Sequence, residues 1–257
     1  MLEFDSERGI YVQQKLKKPS DRLLQFLGGP GFLGGGISNL IFGLHFEGAN
    51  NSTTFAESGA RTATVGGNSK ITTTDFKFGS SCGIFDGNGD YLSYADNASL
   101  ELGTVNFGIG CFFKTTDVTA IYRWFISKGA VGTSQYSYGL GMSPLNKLYG
   151  FVSFDSTKTS YIEAIGTTSV NNGAWHYAFF GRSGNSFKLA LDGVQEGLTG
   201  TSSSAVYNGT APLVIGGTYG TTGTTGYQQC YNGKIDEVAI YTKIYPGFNV
   251  PTEKFVQ

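Results

Sequence analysis

Between Trp175 and Gly193 the side chains alternate with a period of two. Trp175, Tyr177 and Phe179 share one parity, and His176, Ala178 and Phe180 take the other. Past residues 182–186, Phe187, Leu189 and Leu191 alternate with Lys188, Ala190 and Asp192. That period predicts two strands with one buried face. Gly184 and Asn185 between them tolerate the positive φ of a short hairpin loop. Asp192-Gly193 offers a second turn, so the chain is expected to fold back again at Val194-Gln195 as a β-meander. Trp175 is expected in the core, against a facing sheet.

The same texture runs through most of the chain. Strands are predicted near Leu40–Phe46, Ala60–Val65 and within Phe76–Tyr94. Val105–Lys114 and Ile121–Ser127 read as a buried pair. Tyr136–Met142, Leu148–Phe154 and Ser160–Ile165 continue the meander, and Tyr207–Gly217 and Gly233–Thr242 finish it. Short strands with turn signals about every 8 to 12 residues favour a sandwich. No internal repeat and no long helix is evident.

The hairpin with its Trp-His opening and Asp-Gly close resembles the signature of laminin G-like domains, which belong to the concanavalin A-like jelly rolls. Leu44-His45-Phe46-Glu47-Gly48, Phe78-Gly79 through Phe85-Asp86-Gly87 with Tyr91-Leu92, Ala211 to Gly217, and Tyr231 to Tyr241 resemble the remaining strands of that family in the same order. The resemblance covers roughly residues 41 to 245 and implies an all-β, two-sheet antiparallel jelly-roll sandwich.

Residues 1–36 break the pattern and read as an arm, extended or helical. Ser20 to Gly28 is predicted as a short helix, with Ser20 or Asp21 as its N-cap and Gly28 as its stop. Two turns alone are not stable in water, so Leu23, Leu24, Phe26 and Leu27 need a surface to lie on. A glycine-rich connector carrying Phe32 follows. These five residues are the candidate docking element for a partner chain; folding back on the arm's own domain is the alternative. The sandwich is expected over 37–245 and a C-terminal strap over 246–257, where Pro246 and Pro251 bar a regular helix or central strand. The aromatic and proline ending resembles laminin G-like domains of bacteriophage structural proteins.

Composition narrows the functions. Charged residues are 14% of the 257, and the net charge is −1, so there is no basic footprint for nucleic acid. No apolar run reaches the ~20 residues of a membrane span. The N-terminus mixes acids with bases and does not read as a secretory signal. Cys82, Cys111 and Cys230 are scattered and odd in number, which predicts free buried thiols, one disulfide being the alternative.

Catalysis finds little support. Glycoside hydrolysis needs two carboxylates flanking the bond, and no strand carries acids at alternate positions; Asp236 and Glu237 are adjacent and are expected on opposite faces. The two histidines, His45 and His176, lie inside predicted strands and read as structural. Glu47 and Asp236 could share a structural calcium, although Asp236 capping a turn and Glu47 being solvated is the preferred reading. The candidate glycan-binding residues are Tyr219 and Tyr227 in a Gly/Thr-rich loop, and Tyr136 and Tyr138 on another turn. A tyrosine offers an apolar face and a hydroxyl to a sugar; covering a protein interface or the sandwich edge remain alternatives. The four Asn-x-Ser/Thr matches, at Asn50, Asn51, Asn97 and Asn208, are what a Ser/Thr-rich chain yields by chance.

Together these features predict a non-enzymatic module without a cofactor or metal. With the phage-type resemblance, they point to a virion surface protein, either a capsid decoration or tail-associated, that is oligomeric in the assembly. Its expected partners are other virion proteins and surface glycans. A free or secreted lectin is the alternative.

Overall fold

A computed structural model describes residues 2–5, 10–13, 39–132, 134–197, 200–220, 226–243 and 248–254. The chain divides into two units, Met1–Gly35 and Gly36–Gln257. The described part of the first is an antiparallel hairpin of β1 (Leu2–Asp5) and β2 (Ile10–Gln13), pairing Leu2 with Gln13 and Asp5 with Ile10. The sequence reading assigned no strand here. The expected helix at Ser20–Gly28 and the docking residues Leu23, Leu24, Phe26, Leu27 and Phe32 lie outside the described residues.

In the second unit the chain begins with β3 (Leu40–Leu44), β4 (Thr64–Gly66), β5 (Lys70–Thr72), β6 (Cys82–Asp86) and β7 (Tyr91–Tyr94). The long strands β8 (Phe107–Lys114), β9 (Arg123–Val131), β10 (Gln135–Met142), β11 (Lys147–Ser153) and β12 (Tyr161–Ser169) follow. Next come β13 (His176–Ser183), β14 (Ser186–Leu191) and β15 (Val194–Glu196). The last are β16 (Leu213–Ile215), β17 (Thr218–Gly220), β18 (Tyr227–Gln228) and β19 (Asn232–Thr242). Among the described residues one sheet has nine strands in the order β12-β11-β10-β9-β16-β7-β4, with β17 on β9 and β18 on β17; the other has eight, β15-β14-β13-β8-β19-β6-β5, with β3 on β19. This is the two-sheet sandwich the alternation predicts. No described helix is long and apolar enough to cross a membrane.

The core lies between the sheets. Ile109, Cys111 and Phe113 of β8, Ala178 and Phe180 of β13, and Leu189 of β14 meet Leu140 and Met142 of β10 and Leu148 and Val152 of β11 in one buried cluster. The two turns around β14 follow their sequence chemistry. Gly184 takes φ +58° at the first of two loop residues, and Asp192 and Gly193 take +50° and +84°, so Leu191 pairs with Val194 as expected. All three cysteines are buried and free.

The buried faces are more numerous than one per strand. Phe112, Tyr177, Phe179 and Ala190 point away from the core and form a second cluster on the outer side of the eight-stranded sheet, covered by Phe78, Trp175, Phe248 and Val250. Trp175 precedes β13 and is only half-buried. Its Nε1 donates to Asp75 Oδ1 at 3.1 Å. The expectation that Trp175 faces the opposite sheet is therefore corrected. Its parity is that of Tyr177 and Phe179, and that parity belongs to the outer face.

Candidate functional site

The outer face of the nine-stranded sheet is built differently. Cross-strand register places Trp124 (β9), Gly141 (β10), Tyr149 (β11) and Ile165 (β12) in one transverse row. Ser127, Gly139, Phe151 and Glu163 form the next. The two glycines leave the middle of each row without a side chain. A Cβ at 139 would run into the six-membered ring of Trp124, and one at 141 would strike the Arg123 carbonyl. The indole of Trp124 thus lies down over β10, between the aromatic rows. A cleft of about 170 Å³ opens there, lined by Tyr122, Trp124, Val131, Tyr136, Tyr149, Phe151, Lys158 and Gln229.

Two bulges aim these side chains. On β9, Leu140 and Gly141 face Ile126 and Trp124, so Phe125 is the extra residue. Phe125 and Ile126 both enter the core while Trp124 stays outside. On β10, Tyr136 and Tyr138 face Gly129 and Lys128, which makes Ser137 the extra residue. A bulge turns the chain by half a pleat, so Tyr136 and Tyr138 take opposite faces despite sharing a sequence parity.

The walls are fixed by hydrogen bonds. Trp124 Nε1 donates to Gln229 Oε1 at 2.7 Å, and Trp124 N donates to the Gln229 carbonyl at 3.3 Å. The Tyr149 hydroxyl donates to Glu163 Oε1 at 2.6 Å. Burial, reinforced by this bond, raises its pKa well above the phenol range and keeps it a donor. Lys158 Nζ pairs with the same Glu163 oxygen at 2.7 Å and lies 4.9 Å from the Phe151 ring centre and 5.1 Å from that of Tyr161. The loop presenting Lys158 is tied down by Asp155. Its carboxylate accepts the Thr159 hydroxyl and amide, the Ser160 amide, and the Thr157 amide and hydroxyl. These bonds, led by those from Thr159, hold the carboxyl below its ordinary range. Lys158 and Gln229 both sit at positive φ, +61° and +50°. Non-glycine residues in that region persist only where their surroundings enforce it, and they gather at functional sites.

Of the tyrosines singled out from sequence, Tyr136 lines the cleft. Tyr138 does not: it is 2% exposed in the core, with its hydroxyl donating to the Leu100 carbonyl at 3.0 Å. A sugar cannot reach it, and the Ser137 bulge is the reason. Tyr227 stacks on Tyr91 at 3.5 Å and meets Tyr219 edge-on at 5.3 Å, and its hydroxyl donates to Ser93 Oγ at 2.9 Å. Both Tyr219 and Tyr227 are half-buried and lie outside the cleft lining. Trp124, Tyr149, Phe151, Lys158 and Gln229 were missed. Nothing in a one-dimensional pattern brings three strands and two loops together, although a Gly-x-Gly pair inside a strand was a usable sign of close approach.

The acidic residues serve other ends. Glu47 Oε2 accepts the Ser80 amide and hydroxyl, at 3.2 and 2.6 Å. Asp236 Oδ2 accepts the amides of Lys77 and Phe78 at 2.9 and 3.1 Å, and its Oδ1 accepts that of Glu237. Burial raises the Asp236 pKa, the neighbouring Glu237 adds to this, and the amide bonds oppose it; the result is about 8. Among the described residues no group of three or more His, Cys, Asp or Glu is placed to hold a metal. Both histidines bond to carboxylates: His45 Nδ1 to Glu237 at 2.9 Å, and His176 Nδ1 to Asp192 at 2.6 Å.

An all-β sandwich of this order defines the concanavalin A-like class. Residues 86–245 match the laminin G-like family model described as the concanavalin A-like lectin/glucanases superfamily, and the chain belongs to that family. No curated protein matches the chain. Among solved structures it is similar to the binding domain of Paraclostridial Mosquitocidal Protein 1, with a TM-score of 0.61 and 11% identity over 81% of this chain and 50% of that one. It is similar to domain 4 of AbnA, an extracellular arabinanase from Geobacillus stearothermophilus in complex with arabinotriose, at TM-score 0.56 and 16% identity, over 81% and 95%. The botulinum neurotoxin serotype D ligand binding domain in complex with N-acetylneuraminic acid gives 0.57 and 13%, over 81% and 48%. The chain thus spans about half of each toxin structure, and at these identities the likeness is one of fold.

Proposed function

We propose that this chain is a non-catalytic carbohydrate-binding module whose site is the Trp124 cleft. The observation that carries this reading is the cleft itself. Trp124, its indole in close approach to Gly139, is held at both its backbone and its ring nitrogen by Gln229, and is flanked by three tyrosines and a phenylalanine. Flat rings at a wet surface give a sugar apolar contact, and their polar ends give it hydrogen bonds. The arabinotriose and N-acetylneuraminic acid in two of the similar structures agree with a saccharide as occupant. Hydrolysis would require two carboxylates roughly 5–10 Å apart. Glu163, at the cleft's edge, is the one carboxylate bonded to a lining residue among those described.

The test is an array of immobilised oligosaccharides, neutral and acidic, probed with the full chain and with Trp124→Ala. Binding to at least one class, lost in the variant while the melt is kept, is the expected result. No binding, or binding that survives the substitution, contradicts the reading. The same incubation should release no reducing ends.

The setting we propose is the surface of a virion, where the sandwich is displayed by residues 1–36. The support is in the sequence: an apolar segment at 23–27 joined to the domain by a glycine-rich connector. A chain starting at Ile37 is expected to melt cooperatively and to lose incorporation into particles. A shortened chain that still assembles would place the docking surface on the sandwich, and one that unfolds would make the arm an internal strap.

A further inference from the structure

We propose, resting on the carbohydrate-binding reading above, that the cleft selects neutral sugars and excludes acidic ones, and that Glu163 is the discriminating residue. Among the described residues the lining contains one cation, Lys158, and no anion. Taken alone it would favour a carboxylated or sulfated sugar. Lys158 is already engaged, however, by Glu163 Oε1 at 2.7 Å and by two ring faces. An anionic ligand reaching Lys158 would bring a second negative charge against Glu163, whose remaining partner is the neutral Tyr149 hydroxyl. With Glu163 and Lys158 only about a quarter to a third exposed, 27% and 34% for their side chains, that repulsion is weakly screened by solvent.

A neutral sugar meets no such obstacle, and the remaining polar groups suit hydroxyls. Both contacts to Glu163 use Oε1, so Oε2 is left as an acceptor at the cleft's edge. Gln229 spends its Oε1 on Trp124, which turns its NH₂ group into a donor of fixed direction. The Tyr136 oxygen accepts from Gly132 N at 3.3 Å and keeps its own proton to donate. One acceptor and two donors around an indole face form a site for an uncharged, hydroxyl-rich ring. The ion pair then fixes Glu163 for that ring and does not itself recruit charge.

The experiment compares matched oligosaccharide pairs that differ only in a terminal galactose or galacturonate, and a terminal glucose or glucuronate, by titration calorimetry. The wild type should prefer the neutral member by about tenfold or more. Glu163→Gln, which keeps an acceptor for Tyr149 but frees Lys158, should raise the affinity for the acidic member and reduce that preference to about threefold or less. Adding Lys158→Met to it should remove the gain on the acidic member. A wild type that prefers the acidic member overturns the inference and leaves the binding reading standing. No binding of either member in any pair or on the array overturns both. If Glu163→Gln does not fold, the wild-type preference alone decides: a preference for the neutral member below about threefold overturns the inference.

Discussion

The two outer faces of the sandwich each carry one tryptophan and use it in opposite ways. On the eight-stranded sheet Trp175 joins Phe78, Phe248 and Val250 as a cover over Phe112, Tyr177 and Phe179. On the nine-stranded sheet Trp124 lies on bare backbone, and the aromatic residues around it rise as walls. The difference is one of filling. The first face has large side chains on adjacent strands, at Phe112 and Tyr177, and needs a lid. The second has Gly141 between Trp124 and Tyr149 and Gly139 between Ser127 and Phe151, so its rings stand around a hollow. An apolar outer face therefore identifies a binding site only when its interior is empty.

Removing a ring from the closed face should break this contrast most severely. Phe112 is 1% exposed and touches Phe78 and Tyr177 with ring centres at 5.2 and 4.9 Å. Phe112→Ala should cost about 3–5 kcal/mol by chemical denaturation. A loss below about 1 kcal/mol would mean the cover is not a second core. Truncation at residue 245 should cost less, about 2–3 kcal/mol, because Phe248 and Val250 are only partly buried against it. Trp124→Ala should leave stability within about 1 kcal/mol, since its ring faces the open cleft, while sugar binding disappears. Large destabilisation without a binding defect would make the open face structural too.

The smallest effect concerns pH. Trp175 is anchored through a titratable group and Trp124 through a neutral amide. Burial raises the Asp75 pKa, but hydrogen bonds from Lys234, Lys114 and Trp175 outweigh it and bring it down to about 2. A carboxyl whose folded pKa is depressed contributes stability that is present above its unfolded value, 3.8, and lost as pH falls through about 2. The wild type should therefore lose stability over pH 4 to 2 relative to Asp75→Asn. Because Asp75 is 44% exposed, the difference should be modest and should shrink in salt. Trp124 fluorescence should not follow this transition.

Much of the fold was legible. The Asp192-Gly193 turn, the Gly184 loop and the alternation of Phe187, Leu189 and Leu191 were each read correctly, because local backbone preference and side-chain period agree there. Trp175 was misplaced because period two reveals that faces differ without saying which is inner, and on β8 and β13 both are buried. The cleft was least visible. Its rings come from distant positions, and Phe125 and Ser137 are bulge residues that reverse the parity of their neighbours, so that of the two tyrosines singled out together Tyr136 lines the cleft and Tyr138 does not. Lys158 and Gln229 adopt positive φ without a glycine to announce it.

The most direct test uses the fact that the chain has two tryptophans. Their indole N–H groups give two separate proton–nitrogen resonances in a ¹⁵N-labelled sample, assigned through Trp124→Phe and Trp175→Phe. During titration with the neutral oligosaccharides of the binding array, the Trp124 signal should shift saturably while that of Trp175, bonded to Asp75 under its cover, stays in place. A saturable shift of Trp175 alone, or binding that moves neither indole, would contradict the assignment of the cleft as the sugar site.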